Sequence, residues 1–198
     1  ARYNGAEACV GVANCTDAIT LSLLACDVGP GDEVITVAHT AVPTAAGIRM
    51  AGAEPVFVDI EDKFYCLDPE ALEAALSPRT KAIVVVHLYG QPADLDAIIA
   101  FAKKHDLYVI EDCAQAAGAT YRGKRVGSLG DFGCYSFYPT KNLGAMGDAG
   151  AIVTQSAEAA KRLARLRVYG WDWEGDRTSL ETGRNSRMDE IQAAVLGV

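Results

Sequence analysis

The sequence has no apolar run long enough to cross a membrane. Its richest apolar stretches, AIVVV and LYVI, contain only five and four residues, whereas a membrane-spanning helix needs about 20. The start of the chain also lacks the charged and apolar segments of a secretory signal peptide. These absences predict a protein without a membrane partner.

The chain also lacks an excess of positive charge. It carries 18 lysines and arginines against 26 aspartates and glutamates, which gives a net charge of −8. Because nucleic acids and anionic membranes bind basic surfaces, this balance argues against both as partners. It leaves room for a local basic pocket that holds a phosphate group.

Closely paired cysteines are missing as well. The six cysteines are scattered at positions 9, 15, 26, 66, 113 and 134, with no CxxC pair and no spacing typical of a zinc site. In reducing compartments free cysteine packs as a small apolar side chain. We therefore expect reduced, mostly buried thiols, no metal centre and a cytoplasmic protein.

What the sequence does contain is an alternation of helical and strand-like segments. The strand-like segments are nearly continuous apolar runs, which is typical of parallel strands buried on both faces. The pattern predicts an α/β protein with three layers, α/β/α, around a mainly parallel sheet. The predicted helices are 14–26, 44–53, 68–76 and 93–105, and the predicted strands lie within 28–37, 54–60, 81–90 and 107–114.

The alternation changes after residue 120. YRGKRVGSLGDFG favours a glycine-rich loop or hairpin, CYSFY (134–138) and AIVT (151–154) favour short strands, and Ser156 is a typical N-cap for the basic helix that follows. A polar loop over 171–187 precedes a last helix. Its Trp171 and Trp173 either border a substrate or pack against another domain.

Polar residues follow several of the predicted strands. In parallel sheets, ligands bind at the carboxyl ends of the strands. Asp112 follows one apolar strand, residues 87–90 follow another, and Lys141 comes five residues after Ser136 near the end of a third. A carboxylate at the end of an apolar strand is costly without a cationic partner. The glycines after the lysine do not form GxGxxG, which argues against a dinucleotide site.

The combination of an amine, a buried acid and a helix start suggests pyridoxal phosphate. That cofactor forms a Schiff base with an amine, which Lys141 can supply. Its ring nitrogen needs a carboxylate such as Asp112 to stay protonated. Its phosphate needs hydrogen-bond donors, and Thr16 lies at a helix start where backbone N–H groups are available.

On these motifs the sequence resembles the DegT/DnrJ/EryC1/StrS sugar aminotransferases, pyridoxal phosphate enzymes of the aspartate-aminotransferase fold. The resemblance extends over essentially the whole chain, and the stretch VIEDCAQAAGATYRGKRVGSLGDFGCYSFYPTKNLGAMGDAGAIVT is its most specific part. Members of the family are longer at both ends. The resemblance therefore implies that residues 1–198 form the large, cofactor-binding domain of fold type I, without its start and without a small C-terminal domain.

The resemblance implies roles for three residues around the cofactor ring. Lys141 in YPTKNLG matches the Schiff-base lysine. Asp112 in IEDCAQ matches the acid that pairs with the ring nitrogen. Gln115, in the same motif, matches a residue packed near the ring and its phenolic oxygen.

It also implies a set of phosphate ligands. Ser136 in YSFYP and Thr16 in NCTDA match phosphate contacts, with the amide of Asp17 beside them. Asn185 in RNSRMDE matches an asparagine that reaches the phosphate of the neighbouring subunit. This last role implies a homodimer with shared active sites.

The chain departs from the family pattern at two positions. Cys15 replaces the glycine of Asn-Gly-Thr-Asp, which would strain the backbone only if that position needs a positive φ. Ala41 stands where many members have an aromatic residue that stacks on the cofactor ring. His39 either supplies the stacking face instead or packs against the protein, and the sequence leaves both alternatives open.

By resemblance, the activity is transfer of an amino group from L-glutamate to a keto-sugar linked to a nucleoside diphosphate. The wording of AHTAVPT, VYGW and RNSRMDE is most similar to members that make 3-amino-3,6-dideoxyhexoses on dTDP. Two alternatives stay open: a cyclitol as the amino acceptor, and a regulatory homologue that binds the cofactor without turnover. Because Lys141 is present, the family's dehydratases, which replace this lysine, are disfavoured.

Overall fold

A computed structural model describes residues 1–172 and 175–197. The strands are β1 Ala8–Val12, β2 Glu33–Val37, β3 Glu54–Val58, β4 Thr80–Val86, β5 Tyr108–Asp112, β6 Thr120–Tyr121, β7 Lys124–Arg125, β8 Phe132–Ser136 and β9 Gly150–Thr154. The α-helices are α1 Cys15–Ala25, α2 Val42–Met50, α3 Leu72–Ala75, α4 Leu95–Lys104, α5 Ala157–Leu166 and α6 Glu190–Leu196, and the 3-10 turns are Arg2–Asn4, Pro69–Ala71 and Leu88–Gly90.

Seven strands form one sheet in the order β1-β9-β8-β5-β4-β2-β3. All neighbouring pairs between β8 and β3 are parallel, whereas β9 runs antiparallel to both β8 and β1. The short strands β6 and β7 pair separately as the predicted hairpin. The predicted mainly parallel sheet is therefore confirmed.

Alternate side chains of the central strands point into two separate cores. On β4, Ile83 and Val85 belong to a core with α3 and α4, whereas Ala82 and Val84 belong to a core with α1, α2 and α5. A strand buried on both faces needs apolar residues at every position, which explains the unbroken run in the sequence. The two cores give the predicted three-layer α/β/α arrangement.

Two elements differ from the sequence-based expectation. The helix predicted over 68–76 is a 3-10 turn, Pro69–Ala71, followed by the four-residue helix α3. Strand β1 was not predicted. It is a short edge strand whose Gly11 lies against Met188, where an added Cβ would come within 3.2 Å of that side chain. Its identity as a strand depends on pairing with the distant β9.

Within the described ranges, no helix is both long and apolar enough to cross a lipid bilayer.

Candidate active site

A cavity of about 270 Å³ opens at the carboxyl edge of the parallel strands. The ends of β4, β5 and β8 form its floor, and the N-terminal ends of α1 and α2 form its wall. This is the edge at which α/β sheets bind ligands. Its polar and ionisable lining consists of Asn14, Cys15, Thr16, Thr40, Thr44, His87, Asp112, Gln115, Ser136, Tyr138, Lys141 and Asp148.

Asp112 lies at the bottom of this cavity, with only 5% of its surface exposed. Its Oδ2 accepts a hydrogen bond from the Thr44 hydroxyl at 2.8 Å, and its Oδ1 accepts one from the Ala114 amide at 3.1 Å. Burial raises the pKa of the Asp112 carboxyl, while these two donors and the positive charge of Lys141 oppose that rise. The carboxylate is thus desolvated and oriented, and a cationic ligand would complete its environment.

Lys141 lies within a loop whose shape depends on a glycine. An added Cβ at Gly144 would lie 2.5 Å from the carbonyl oxygen of Pro139, so a side chain cannot fit there. Backbone bonds from Lys141 N to Tyr138 O (2.9 Å) and from Ala145 N to Phe137 O (2.8 Å) close the turn. The turn brings the Lys141 side chain to the rim of the cavity that contains Asp112.

The start of α1 forms the opposite wall. Asn14 is its N-cap, and its Oδ1 accepts the amide of Asp17 at 2.8 Å. Gly150 allows this helix start to lie against β9, because an added Cβ would approach the Asn14 carbonyl carbon to 2.6 Å. Thr16 lines the cavity as predicted. Asp17 does not, and its amide, a predicted phosphate donor, is already bonded to the cap.

Two further predicted residues line the cavity. Ser136 is the buried last residue of β8, and its hydroxyl accepts a bond from the Tyr138 amide at 3.4 Å. Gln115 uses its Oε1 to accept the Tyr89 amide at 2.8 Å. Tyr89 has a positive φ of 56°, which is unfavourable for a tyrosine. The hydrogen bond from its amide to Gln115 stabilises this turn.

His39 and Asn185 are not among the residues that line the cavity. His39 is exposed and meets the ring of Tyr89 edge-on, with centroids 6.0 Å apart, while Ala41 lines the cavity itself. Asn185 is exposed and forms an isolated bridge with Val168. Ring stacking by His39 and a cross-subunit role for Asn185 stay predictions, as does phosphate binding by Asp17. Trp173 is outside the described residues.

The sequence reasoning did not single out Glu111, which lies beside Asp112 on the opposite face of β5. Its Oε2 lies 3.0 Å from His87 Nε2 and accepts the Gly127 amide at 2.6 Å, and its Oε1 accepts the Leu129 and Gly130 amides at 2.9 and 2.7 Å. Burial would raise the pKa of Glu111, but His87 and these amides lower it on balance. The feature of the sequence that could have identified Glu111 is a glutamate within an otherwise apolar strand.

The tautomer of His87 follows from its second partner. Its Nδ1 accepts the Ala93 amide at 3.2 Å, so Nε2 carries the proton that is donated to Glu111. The Cys113 thiol lies within 4.8 Å of both groups. Because both oxygens of Glu111 already accept backbone amides, hydrogen bonding accounts for this cluster without a metal ion.

The donor set of the cavity fits pyridoxal phosphate. A lysine amine is available for the aldehyde of the cofactor, and a buried carboxylate with two oriented donors is available for its ring nitrogen. The hydroxyls of Thr16 and Ser136 and the first turn of α1 suit a phosphate group. Lys141, Asp112, Gln115, Ser136 and Thr16 are thus brought together as predicted.

Comparisons with known proteins agree with this fit. The chain is 53% identical, over 94% of its length, to a UDP-N-acetyl-3-dehydro-α-D-glucosamine 3-aminotransferase of Acidithiobacillus ferrooxidans, and the match covers 50% of that protein. It also matches the crystal structure of DesV from S. venezuelae in complex with a ketimine intermediate, with a TM-score of 0.94 and 46% identity over 99% of this chain and 52% of DesV.

A second solved structure is NtdA from Bacillus subtilis with bound cofactor PMP, with a TM-score of 0.92 and 37% identity over 98% of this chain and 44% of NtdA. The chain thus spans about half the length of the relatives it matches. The model of an aminotransferase family matches residues 1–198. The chain belongs to the DegT/DnrJ/EryC1/StrS aminotransferase family.

Proposed function

We propose that the protein is a cytoplasmic, pyridoxal phosphate-dependent aminotransferase. It moves an amino group from L-glutamate to the keto group of a sugar linked to a nucleoside diphosphate. The observation that carries this proposal is the meeting of Lys141 and the buried Asp112 in one cavity at the carboxyl edge of the sheet. The 3-aminotransferase names among the relatives support a 3-keto-sugar as the acceptor.

Each residue has a separate task in this reaction. When bound, pyridoxal phosphate supplies a ring that withdraws electrons from the α-carbon of the amino donor. Asp112 would accept a hydrogen bond from the ring nitrogen and so keep it protonated. Thr16 and Ser136 would bind the phosphate and so orient the ring.

Lys141 has two tasks. Its Nζ would hold the aldehyde of the cofactor. As a free amine, Nζ would act as the general base that accepts a proton from the donor α-carbon and as the acid that gives it back. The turn that the glycine at 144 allows keeps Lys141 at the cavity for both tasks.

The proposal includes a homodimer with shared active sites. The exposed Asn185 is the contribution of one subunit to the phosphate site of the other. The competing functions are amino transfer to a cyclitol and regulation without turnover. They predict different responses of the bound cofactor to added amino donors and amino acceptors.

Absorption spectroscopy of the complete protein tests the proposal. With added pyridoxal phosphate we expect a visible band from the lysine-bound cofactor, and we expect L-glutamate to bleach it. Lys141→Ala should lose this band, and Lys161→Ala, which changes an exposed lysine on α5, should keep it. A band that no amino donor bleaches would favour a regulator. Recovery of the band with 2-deoxy-scyllo-inosose, and not with 3-keto nucleotide sugars, would favour the cyclitol enzyme.

A further inference from the structure

Two threonine hydroxyls form a hydrogen-bonded chain that ends at Asp112. The Thr44 hydroxyl lies 2.8 Å from Asp112 Oδ2, and the Thr40 hydroxyl lies 2.8 Å from the Thr44 hydroxyl. Thr44 is in the first turn of α2 and is 1% exposed, whereas Thr40 is in the preceding loop and is half-buried; both line the cavity. Together they connect the buried carboxylate to the loop before α2.

The chemistry of the groups fixes the direction of these bonds. An ionised carboxylate only accepts hydrogen bonds, so the single proton of the Thr44 hydroxyl points at Asp112. Thr44 then accepts from Thr40, whose proton is also used. Both donors are therefore aligned toward Asp112, and such aligned chains strengthen each bond in a low-dielectric interior.

The other oxygen of Asp112 is also occupied. Its Oδ1 accepts the Ala114 amide at 3.1 Å and lies 3.9 Å from the Cys15 thiol, a weak donor. A carboxylate offers about four acceptor positions. Three of them have partners among the described residues, which leaves one position on Oδ2 beside the Thr44 contact.

We infer that Thr44, supported by Thr40, is a positioning residue that orients the Asp112 carboxylate and leaves one oxygen position for the charged ring nitrogen of the cofactor. This inference rests on the proposed function, because it assigns the partner of Asp112 to a pyridine ring. It places a binding role on α2, an element that supplied none of the predicted ligands.

A plain structural role would have a different consequence. The bond from Thr44 to Asp112 also joins α2 to β5, and its loss would weaken every ligand by loosening the cavity. A positioning role acts only through the ring nitrogen. The two are separated by a ligand in which that nitrogen is replaced by carbon.

The experiment measures dissociation constants of the apo form of the complete protein for pyridoxal 5′-phosphate and for 1-deazapyridoxal 5′-phosphate. Both compounds contain the aldehyde and the phosphate. The ratio of their two dissociation constants therefore reports the contribution of the ring nitrogen alone. The variants are Thr44→Val, Thr44→Ser and Thr40→Val. Thr36→Val is the matched control, because this buried threonine donates to the Val84 carbonyl and does not contact Asp112.

We expect the wild-type protein to bind the natural cofactor at least tenfold more tightly than the deaza compound. Thr44→Val should reduce this preference about tenfold, as loss of a hydrogen bond to a charged group implies. Thr44→Ser should restore it, Thr40→Val should reduce it by a smaller factor, and Thr36→Val should keep the wild-type ratio.

Two outcomes would overturn these statements, and they are distinct. If Thr44→Val binds both compounds more weakly by the same factor, Thr44 is only structural and the inference fails while the proposed function stands. If the wild-type protein does not distinguish the two compounds, Asp112 does not pair with a ring nitrogen, and the proposed role of Asp112 fails with the inference.

Discussion

Glu111→Gln tests the hydrogen bonds of the buried carboxylate with little change in packing, because the two side chains have nearly the same shape. Each oxygen of Glu111 receives two donors: the Leu129 and Gly130 amides on Oε1, and the Gly127 amide and His87 Nε2 on Oε2. A glutamine has only one oxygen. Whichever way its amide turns, the NH₂ group faces two donors with no acceptor between them.

His87 cannot relieve this conflict by changing its tautomer. If Nε2 became the acceptor, Nδ1 would carry the proton and would then face the Ala93 amide, which now donates to it at 3.2 Å. The variant therefore leaves two buried donors without a partner. At about 1–3 kcal/mol for each, we expect the free energy of unfolding to fall by about 4 kcal/mol.

Urea unfolding of the complete protein, followed by circular dichroism, measures this loss. Glu73→Gln is the control, because Glu73 lies on the surface and its side chain is 66% exposed. It should change the free energy of unfolding by less than about 0.5 kcal/mol. A loss below about 1 kcal/mol in Glu111→Gln would refute the reasoning, since it would mean that the four donors do not depend on the charge of the carboxylate.

The same variant has a pH signature. The folded pKa of Glu111 is lowered below its ordinary value of 4.5, so its contribution to stability is complete above that value and disappears as the pH falls through the lower, folded pKa. The difference in the free energy of unfolding between wild type and Glu111→Gln should therefore be constant near neutral pH and should shrink below about pH 4.5. A difference that grows on acidification would contradict the assignment.

Three further predictions follow from the same structure. Cys9 is exposed, and burial raises the pKa of the other five thiols of this chain, so a disulfide reagent should label Cys9 quickly in the native protein and the other five only after unfolding. Gly144→Ala should destabilise the loop of Lys141 by about 1–3 kcal/mol and weaken cofactor binding, whereas Gly29→Ala, whose Cβ has room, should do neither. Asn14→Ala should cost about 1 kcal/mol in thermal or urea unfolding through loss of the helix cap, and an unchanged midpoint would show that the cap is replaced.

The sequence was informative wherever local rules dominate. Unbroken apolar runs predicted the parallel strands, and Asp68 and Ser156 cap their helices as their residue types suggest. It was uninformative where pairing partners are far away in the chain. Strand β1 is a strand because β9, about 140 residues later, supplies its hydrogen bonds, and no local pattern contains that information.

For the site, the division has a clear physical cause. The sequence by itself determined the chemical groups: an amine after a strand, a carboxylate at a strand end and hydroxyls near a helix start. Only the tertiary structure decided which of them meet, because the carboxyl ends of β4, β5 and β8 converge through sheet order, which depends on long-range packing. The hydrogen-bond partners of Asp112 and Glu111 were likewise decided by the tertiary structure. Thr44 lies 68 residues from Asp112 in the chain, and their 2.8 Å contact exists only in the folded state.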